Sequence, residues 1–295
     1  MAVDLERSGS YLCVMYRILM IIAVLTVPAA GWSAQAGEAS PARPAEYMIY
    51  QYPDVSLVVK IDSPETEFES KIYGPEDALI KSSELPFARI GPLYQYIGAV
   101  DMPRQLMIKV SPGRSVERSR ISMELIQLPD RDRNSATLAQ AYRLLSYGTE
   151  AVYSSDSTTW AMKTYTLRNA ARAFAGLGWE EMRLWSEFYA AHLVLHKLND
   201  VVLTLELARE IQDSARIAGL EMIELAARIL ESDALIAAGG TGSDKIAAAR
   251  LDQAHAVLDR VVIMASQQDL KSEQARALFN DGLVYERQGQ LDAAV

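Results

Sequence analysis

The feature that most limits what this chain can fold into is a change of hydrophobic period at the polar joint Asp130–Ser135, DRDRNS. Before the joint, from Tyr47 to Leu128, come the short runs YMIYQY, SLVVKID, FESKIYG, LYQYIGAV, QLMIKV and RISMELIQL, divided by turn residues such as Ser63-Pro64, Pro75 and Ser111-Pro112-Gly113. Runs of this length with a period near two predict strands, and several at close spacing predict a small antiparallel β-sandwich. After the joint the period becomes helical and does not change back. Leu138, Tyr142, Leu145 and Val152 share one helical face, and so do Met182, Trp185, Tyr189, His192 and Leu195. Further amphipathic stretches lie near 157–177, 199–218, 220–238, 246–267 and 270–288, with short breaks at Gly176–Gly178, Asn199-Asp200, Gly219, Gly239–Ser243 and Gly289. Helices joined by tight turns make hairpins, and hairpins in series make an α-solenoid. The expected fold class is therefore α+β and multidomain, with a β-sandwich over residues 37–130 and an α-solenoid over 135–295.

Composition narrows the function. The 29 basic and 38 acidic residues leave a net charge of −9, which argues against a nucleic-acid binder, since phosphate contacts need a basic surface. Residues 17–36, RILMIIAVLTVPAAGWSAQA, place an Arg before an apolar run from Ile18 to Ala30 and then Ala34-Gln35-Ala36, the order of a secretory signal peptide. The run is shorter than the ~18–20 residues of a membrane span, so removal after Ala36 is the expectation and an uncleaved anchor the alternative. The product is exported, periplasmic or extracellular. The first fourteen residues carry Asp4 and Glu6, and Met15 would make a better start for a leader. Cys13, the single cysteine, leaves with that leader, so the mature chain has no disulfide, thiol nucleophile or thiolate metal site.

Three resemblances follow from particular residues. In the last nineteen residues, ALFNDGLVYERQGQLDAAV, Leu278, Gly282, Tyr285, Gly289, Leu291 and Ala294 sit at the spacing of a tetratricopeptide repeat, and the segment resembles its first helix and turn. Gly282 and Ala294 are small where two helices must approach, and Gly289 permits the turn. The reading is that the chain stops within its last repeat. Earlier breaks at Gly178 and Gly219 are about forty residues apart, which resembles the long-helix, divergent repeats. The strand region resembles the pre-peptidase C-terminal type of β-sandwich on its SLVVKID…QLMIKVSP framing. The whole layout, with local wording such as ARAFAGLGWEEMRLWSEFYAAH at 171–192, resembles the N-terminal part of exported bacterial proteins that finish in a caspase-like CHAT domain. The catalytic His and Cys of that family lie in a domain this sequence does not contain, so the resemblance assigns no catalytic residue here.

Candidate sites are few. His192 and His196 are four apart on a predicted helix with Asp200 one turn on, a spacing at which two imidazoles can share a metal. Leu193 stands where an HExxH protease needs Glu, so that reading fails, and a packed histidine is the expectation at His192. His255 stands alone in another helix. The loop GGTGSDK from Gly239 lacks the Gly-Lys-Ser/Thr ending of a phosphate loop and follows a helix. Ser82, Ser83 and the Ser111–Ser122 stretch with Arg114, Arg118 and Arg120 offer hydroxyls without a triad histidine. Glu180 and Glu181 are expected to favour a helix start. Trp160, Tyr165, Phe174, Trp179, Trp185, Phe188 and Tyr189 are expected in the core, by their helical spacing. By the tetratricopeptide resemblance, Arg276, Phe279, Leu283 and Glu286 would line a concave groove, and Leu283 replaces the asparagine of the family's carboxylate clamp. The function so read is a protein-interaction scaffold without catalytic residues, cofactor or metal, taking a protein or peptide partner, the recognition arm of a longer CHAT-type peptidase. The alternatives are the ligand-sensing repeats of a signalling protein, or a metal-dependent enzyme using His192 and His196.

Overall fold

The computed structural model describes residues 32–39, 44–62, 68–85, 91–112, 119–129, 133–153, 157–240, 245–290 and 292–294. The apolar leader run with Cys13, Arg114 and Arg118, the centre of the joint at Asp130–Asp132, residues 241–244 of the glycine loop, and Leu291 lie outside the described residues. Two four-stranded sheets come first. One has the order β1 (Trp32–Ala39), β8 (Ser119–Pro129), β3 (Val55–Asp62), β6 (Leu93–Ile97); the other has β2 (Ala45–Gln51), β7 (Arg104–Pro112), β4 (Phe68–Tyr73), β5 (Leu79–Leu85). The pairings of β3 with β6 and β8, and of β7 with β2 and β4, are antiparallel. Seven α-helices follow among the described residues: α1 (Arg133–Tyr153), α2 (Trp160–Gly176), α3 (Glu180–His196), α4 (Val201–Ala218), α5 (Glu221–Gly239), α6 (Lys245–Gln267) and α7 (Lys271–Arg287).

The alternation of β7 places Leu106, Ile108 and Val110 on one face, where they meet Leu57, Val59 and Ile61 of β3 in a core shared by both sheets. The run Leu57-Val58-Val59 is apolar on consecutive residues, the mark of a strand covered on both sides. Val58 and Tyr94 indeed point away from that core and join Tyr142, Leu145, Phe174, Trp185 and Tyr189 in a second cluster beneath the helices. Tyr142 meets Phe174 edge-on at 5.0 Å, and Tyr189 donates its hydroxyl to the Pro92 carbonyl at 2.6 Å. At Gly91, with φ of 72°, a Cβ would come within 2.4 Å of the Trp185 ring, so only glycine lets the chain pass there. Strands and helices thus share apolar contacts within one compact unit, Ser33–Val295.

Each helix packs on its chain neighbours, and α1 also touches α3, α3 touches α5, and α5 touches α7. The odd-numbered helices therefore stand side by side in one row. The turns leading into that row repeat. Gly178, Gly219 and Asp269 take positive φ, and the next residue returns its amide to the carbonyl five back: Trp179 to Phe174, Leu220 to Ala215 and Leu270 to Ala265, at 2.9–3.0 Å. Gln290 does the same to Tyr285 after Gly289. These are Schellman-type ends, in which a left-handed residue closes the helix and the next apolar side chain folds onto its last turn.

Candidate functional site

The row of α3, α5 and α7 carries a connected set of polar side chains. His192 and His196 lie one turn apart on α3, so their rings come together with centroids 4.2 Å apart. Across on α5, the Asp233 carboxylate is 3.9 Å from His196 Nε2. From α7, Arg276 Nη2 donates to Asp233 Oδ2 at 3.0 Å and Asn280 Nδ2 donates to Oδ1 at 2.6 Å. Arg287 donates to the Ile236 carbonyl in the next turn of α5. Asp233 keeps 13 % of its side-chain surface, so its charge is sheltered and must be matched; the guanidinium and the amide do so, tying three helices at one carboxylate.

The two imidazoles differ in setting. His192 is buried, and its Nδ1 has no hydrogen-bond partner. Burial, with the neighbouring His196, Arg276 and Lys197, holds its pKa well below the usual histidine range. His196 is also lowered, first by burial, with Asp233 opposing and Arg276 and Lys197 adding to the effect. Arg276 and Lys197, whose charges act on both imidazoles, oppose a metal cation there. The carboxylate that could complete such a site is already engaged by Arg276 and Asn280. Asp200, expected to face the two histidines, instead caps α4: its Oδ1 accepts from the Leu203 amide at 3.1 Å, because a carboxylate at a helix start is drawn to free N–H groups.

A second cluster was missed in the sequence, where His255 stands alone. His255 Nδ1 is 2.6 Å from Asp281 Oδ1 on α7, and Nε2 is 3.6 Å from Asp259 Oδ2 one turn along α6, with the Tyr285 ring 5.4 Å away. The hydrogen bond to Asp281 is the main cause that raises its pKa, with burial opposing it. Three potential ligand atoms of His255, Asp259 and Asp281 lie within 4.8 Å of one another. Each ring nitrogen already faces a carboxylate, however, which suits an imidazolium bridging two acids more directly than a metal. The Asp259 spacing of four was visible in the sequence; Asp281, 26 residues on, was not.

The serines of β5 do not assemble a nucleophile. Ser83 Oγ accepts from Gln95 Nε2 at 3.0 Å, and Ser82 is exposed. Ser146 on α1 is closer to the pattern of a serine–lysine pair, since Lys81 Nζ donates to its Oγ at 2.7 Å. The same oxygen accepts from the Tyr96 amide at 3.1 Å, and Lys81 is also 3.1 Å from Glu150. With these contacts Ser146 and Lys81 tie the sheets to α1. Glu180 and Glu181 occupy the first turn of α3, where Glu180 pairs with Arg183 and Glu181 approaches Lys60 of β3 at 3.9 Å. Of the aromatic residues, Phe174, Trp185, Phe188 and Tyr189 are buried, whereas Tyr165 is 61 % and Trp179 40 % exposed.

The four groove residues do not behave alike. Arg276 is spent on Asp233, Leu283 is half-buried, and Phe279 and Glu286 are exposed on α7. Leu278, beside Phe279, is exposed as well. Among the described residues, no helix is long and apolar enough to cross a membrane. No protein-family model matches the sequence, and no curated protein matches it either.

Proposed function

We propose that the helical array is an α-solenoid of tetratricopeptide-like hairpins that serves as a docking scaffold for a protein or peptide, with Phe279, Leu283 and Glu286 of α7 as its contact residues and Arg276 as their support. The observation that carries this reading is the single row of α1, α3, α5 and α7, whose last member presents Phe279 with 68 % of its surface free. A large aromatic side chain left open on a regular helix face is the kind of anchor on which interfaces concentrate their energy. The spacing of Leu278, Gly282, Tyr285 and Gly289 supports the repeat class, and the order of leader, strands and helices supports an exported protein of the CHAT-containing type, in which this stretch is the recognition arm.

The test is a peptide-display selection against the immobilised chain. Sequences enriched on the wild type are expected to lose at least ~10-fold in affinity on Phe279→Ser, about the loss of one good apolar anchor. A selection that enriches nothing, or ligands indifferent to Phe279→Ser and Glu286→Lys, overturns the reading.

A further inference from the structure

We infer that β2 is a pairing edge that takes β2 of a second copy of this chain, antiparallel about a twofold axis through Met48, so that two four-stranded sheets become one of eight strands. In its own sheet β2 is the last strand and pairs with β7 from Ala45–Val110 to Gln51–Arg104, without a shift of register; its far side borders no strand among the described residues. Such an edge is a template for a further strand, and proteins blunt it with lysine, proline, a bulge or a covering element. The edges nearest the helices are blunted in this way. β5 leaves register with β4 at Ile72–Tyr73, and its Lys81 is held by Ser146 and Glu150 of α1. On β6 the Tyr96 amide donates to the Ser146 hydroxyl. By contrast β2, AEYMIYQ, has no lysine, proline or bulge, and its one charge, Glu46, is matched by Lys109 of β7 at 2.9 Å.

The apolar layers also stay open along this strand. Facing inward, Tyr47 and Ile49 are only partly buried against the shared core, whereas Leu106, Ile108 and Val110, the inward residues of β7, are fully covered. Facing outward, Met48 and Tyr50 keep 57 % and 49 % of their surface, and Met48 continues across the sheet into Met107 and Tyr73. A strand that fits here carries apolar side chains on both faces and sets no acid against Glu46. β2 itself does so. Reversed about Met48, all seven of its residues find a partner: Ala45 meets the second copy's Gln51, Glu46 its Tyr50, Tyr47 its Ile49, and Met48 its Met48. Glu46 thus faces a tyrosine instead of its own copy, and Tyr47 with Ile49 is an aromatic and β-branched pair of the kind that stabilises sheets. The contact uses the same edge on both copies, so the assembly closes at two. The helices hold the other end of this sheet, where α1 touches β5, and a hairpin stacked on α7 would lengthen the row away from α1. The openness of β2 therefore does not turn on the number of repeats.

One pair of strands buries less than the ~800 Å² per partner of a standard interface, so the dimer depends on concentration. Sedimentation velocity of the full chain from about 5 to 200 μM, a range bracketing the weak end of such contacts, is expected to show a rise from monomer toward dimer. Met48→Lys, which sets like charges opposite one another at an exposed site, should hold the chain as a monomer over that range, with its far-UV circular dichroism unchanged. With Cys13 replaced by serine, Met48→Cys should cross-link within the dimer, since directly opposed residues of antiparallel strands lie within the Cα separation of a disulfide. Tyr165→Cys, at an exposed position of α2, gives the rate of chance collision. A wild type that stays monomeric throughout, a dimer indifferent to Met48→Lys, or Met48→Cys that cross-links no faster than Tyr165→Cys overturns the pairing. A monomeric wild type whose display-selected peptides are lost on Met48→Lys overturns it as well and gives the edge to a strand of another protein. Since α7 takes no part in the contact, the response of peptide binding to Phe279→Ser is a separate result, and this pairing and the docking reading fail independently.

Discussion

At the scale of single residues, burial decides which polar groups matter. Asp233 is sheltered and holds Arg276 and Asn280, so Asp233→Ala strands a guanidinium and an amide together; we expect a loss of about 3 kcal/mol in urea-unfolding stability. Asp233→Asn should also lower the His196 pKa further, read by NMR titration, since the carboxylate now opposes the effect of burial. The two histidine settings give opposite pH responses. His255 is raised by Asp281, so its contribution is fully present below about pH 6.5 and is lost as pH rises through its folded value. His192 is depressed by burial, so its contribution is fully present above about pH 6.5 and is lost as acid drives a proton onto the buried ring. Denaturation midpoints measured across that range should lose the alkaline decline in His255→Gln and the acid decline in His192→Leu. Because His192 Nδ1 has no partner, the leucine variant should be no less stable at pH 8. The His192–His196 adjacency was legible from a spacing of four; the carboxylates that meet His196 and His255 from other helices were not, because sequence distance carries no trace of helix stacking.

Among whole elements, the turns show how local chemistry sets the row. Gly219 and Asp269 hold the same left-handed position at the ends of α4 and α6, yet only one is glycine. Asp269→Gly should therefore stabilise by up to ~1 kcal/mol, and Gly219→Ala should destabilise by a similar amount, both read as shifts in thermal midpoint. The helices and most strands were readable because an amphipathic period survives wherever one face meets water. The break at Gly219 was equally plain. The turn at Asp269 was not, since aspartate takes positive φ at a cost that only the structure displays. Asp200 misled for a related reason: helical spacing aligned it with two histidines, while the helix ends before it and its carboxylate turns to the next one.

Across the molecule, strands and helices hold one another through β3 and β6. Val58 and Tyr94 belong to the cluster under α1 and α3, so Val58→Asp places an unpaired charge between layers. We expect that variant to lose strand and helix signals together, and the wild type to show coincident unfolding by tryptophan fluorescence and far-UV circular dichroism; separated transitions would show that the layers fold independently. The polar joint marks where the period changes, and it gave no sign that Tyr94 and Tyr142 would meet across it with ring centroids 6.2 Å apart. A sheet covered on both faces also fixes the first helices as a wall fixes a cantilever. At α1 rings interlock with the strands, whereas α7 is held by a few small apolar side chains and two charge clamps. Acidity favours one of those clamps, at His255, and disfavours the imidazole pair beside the other.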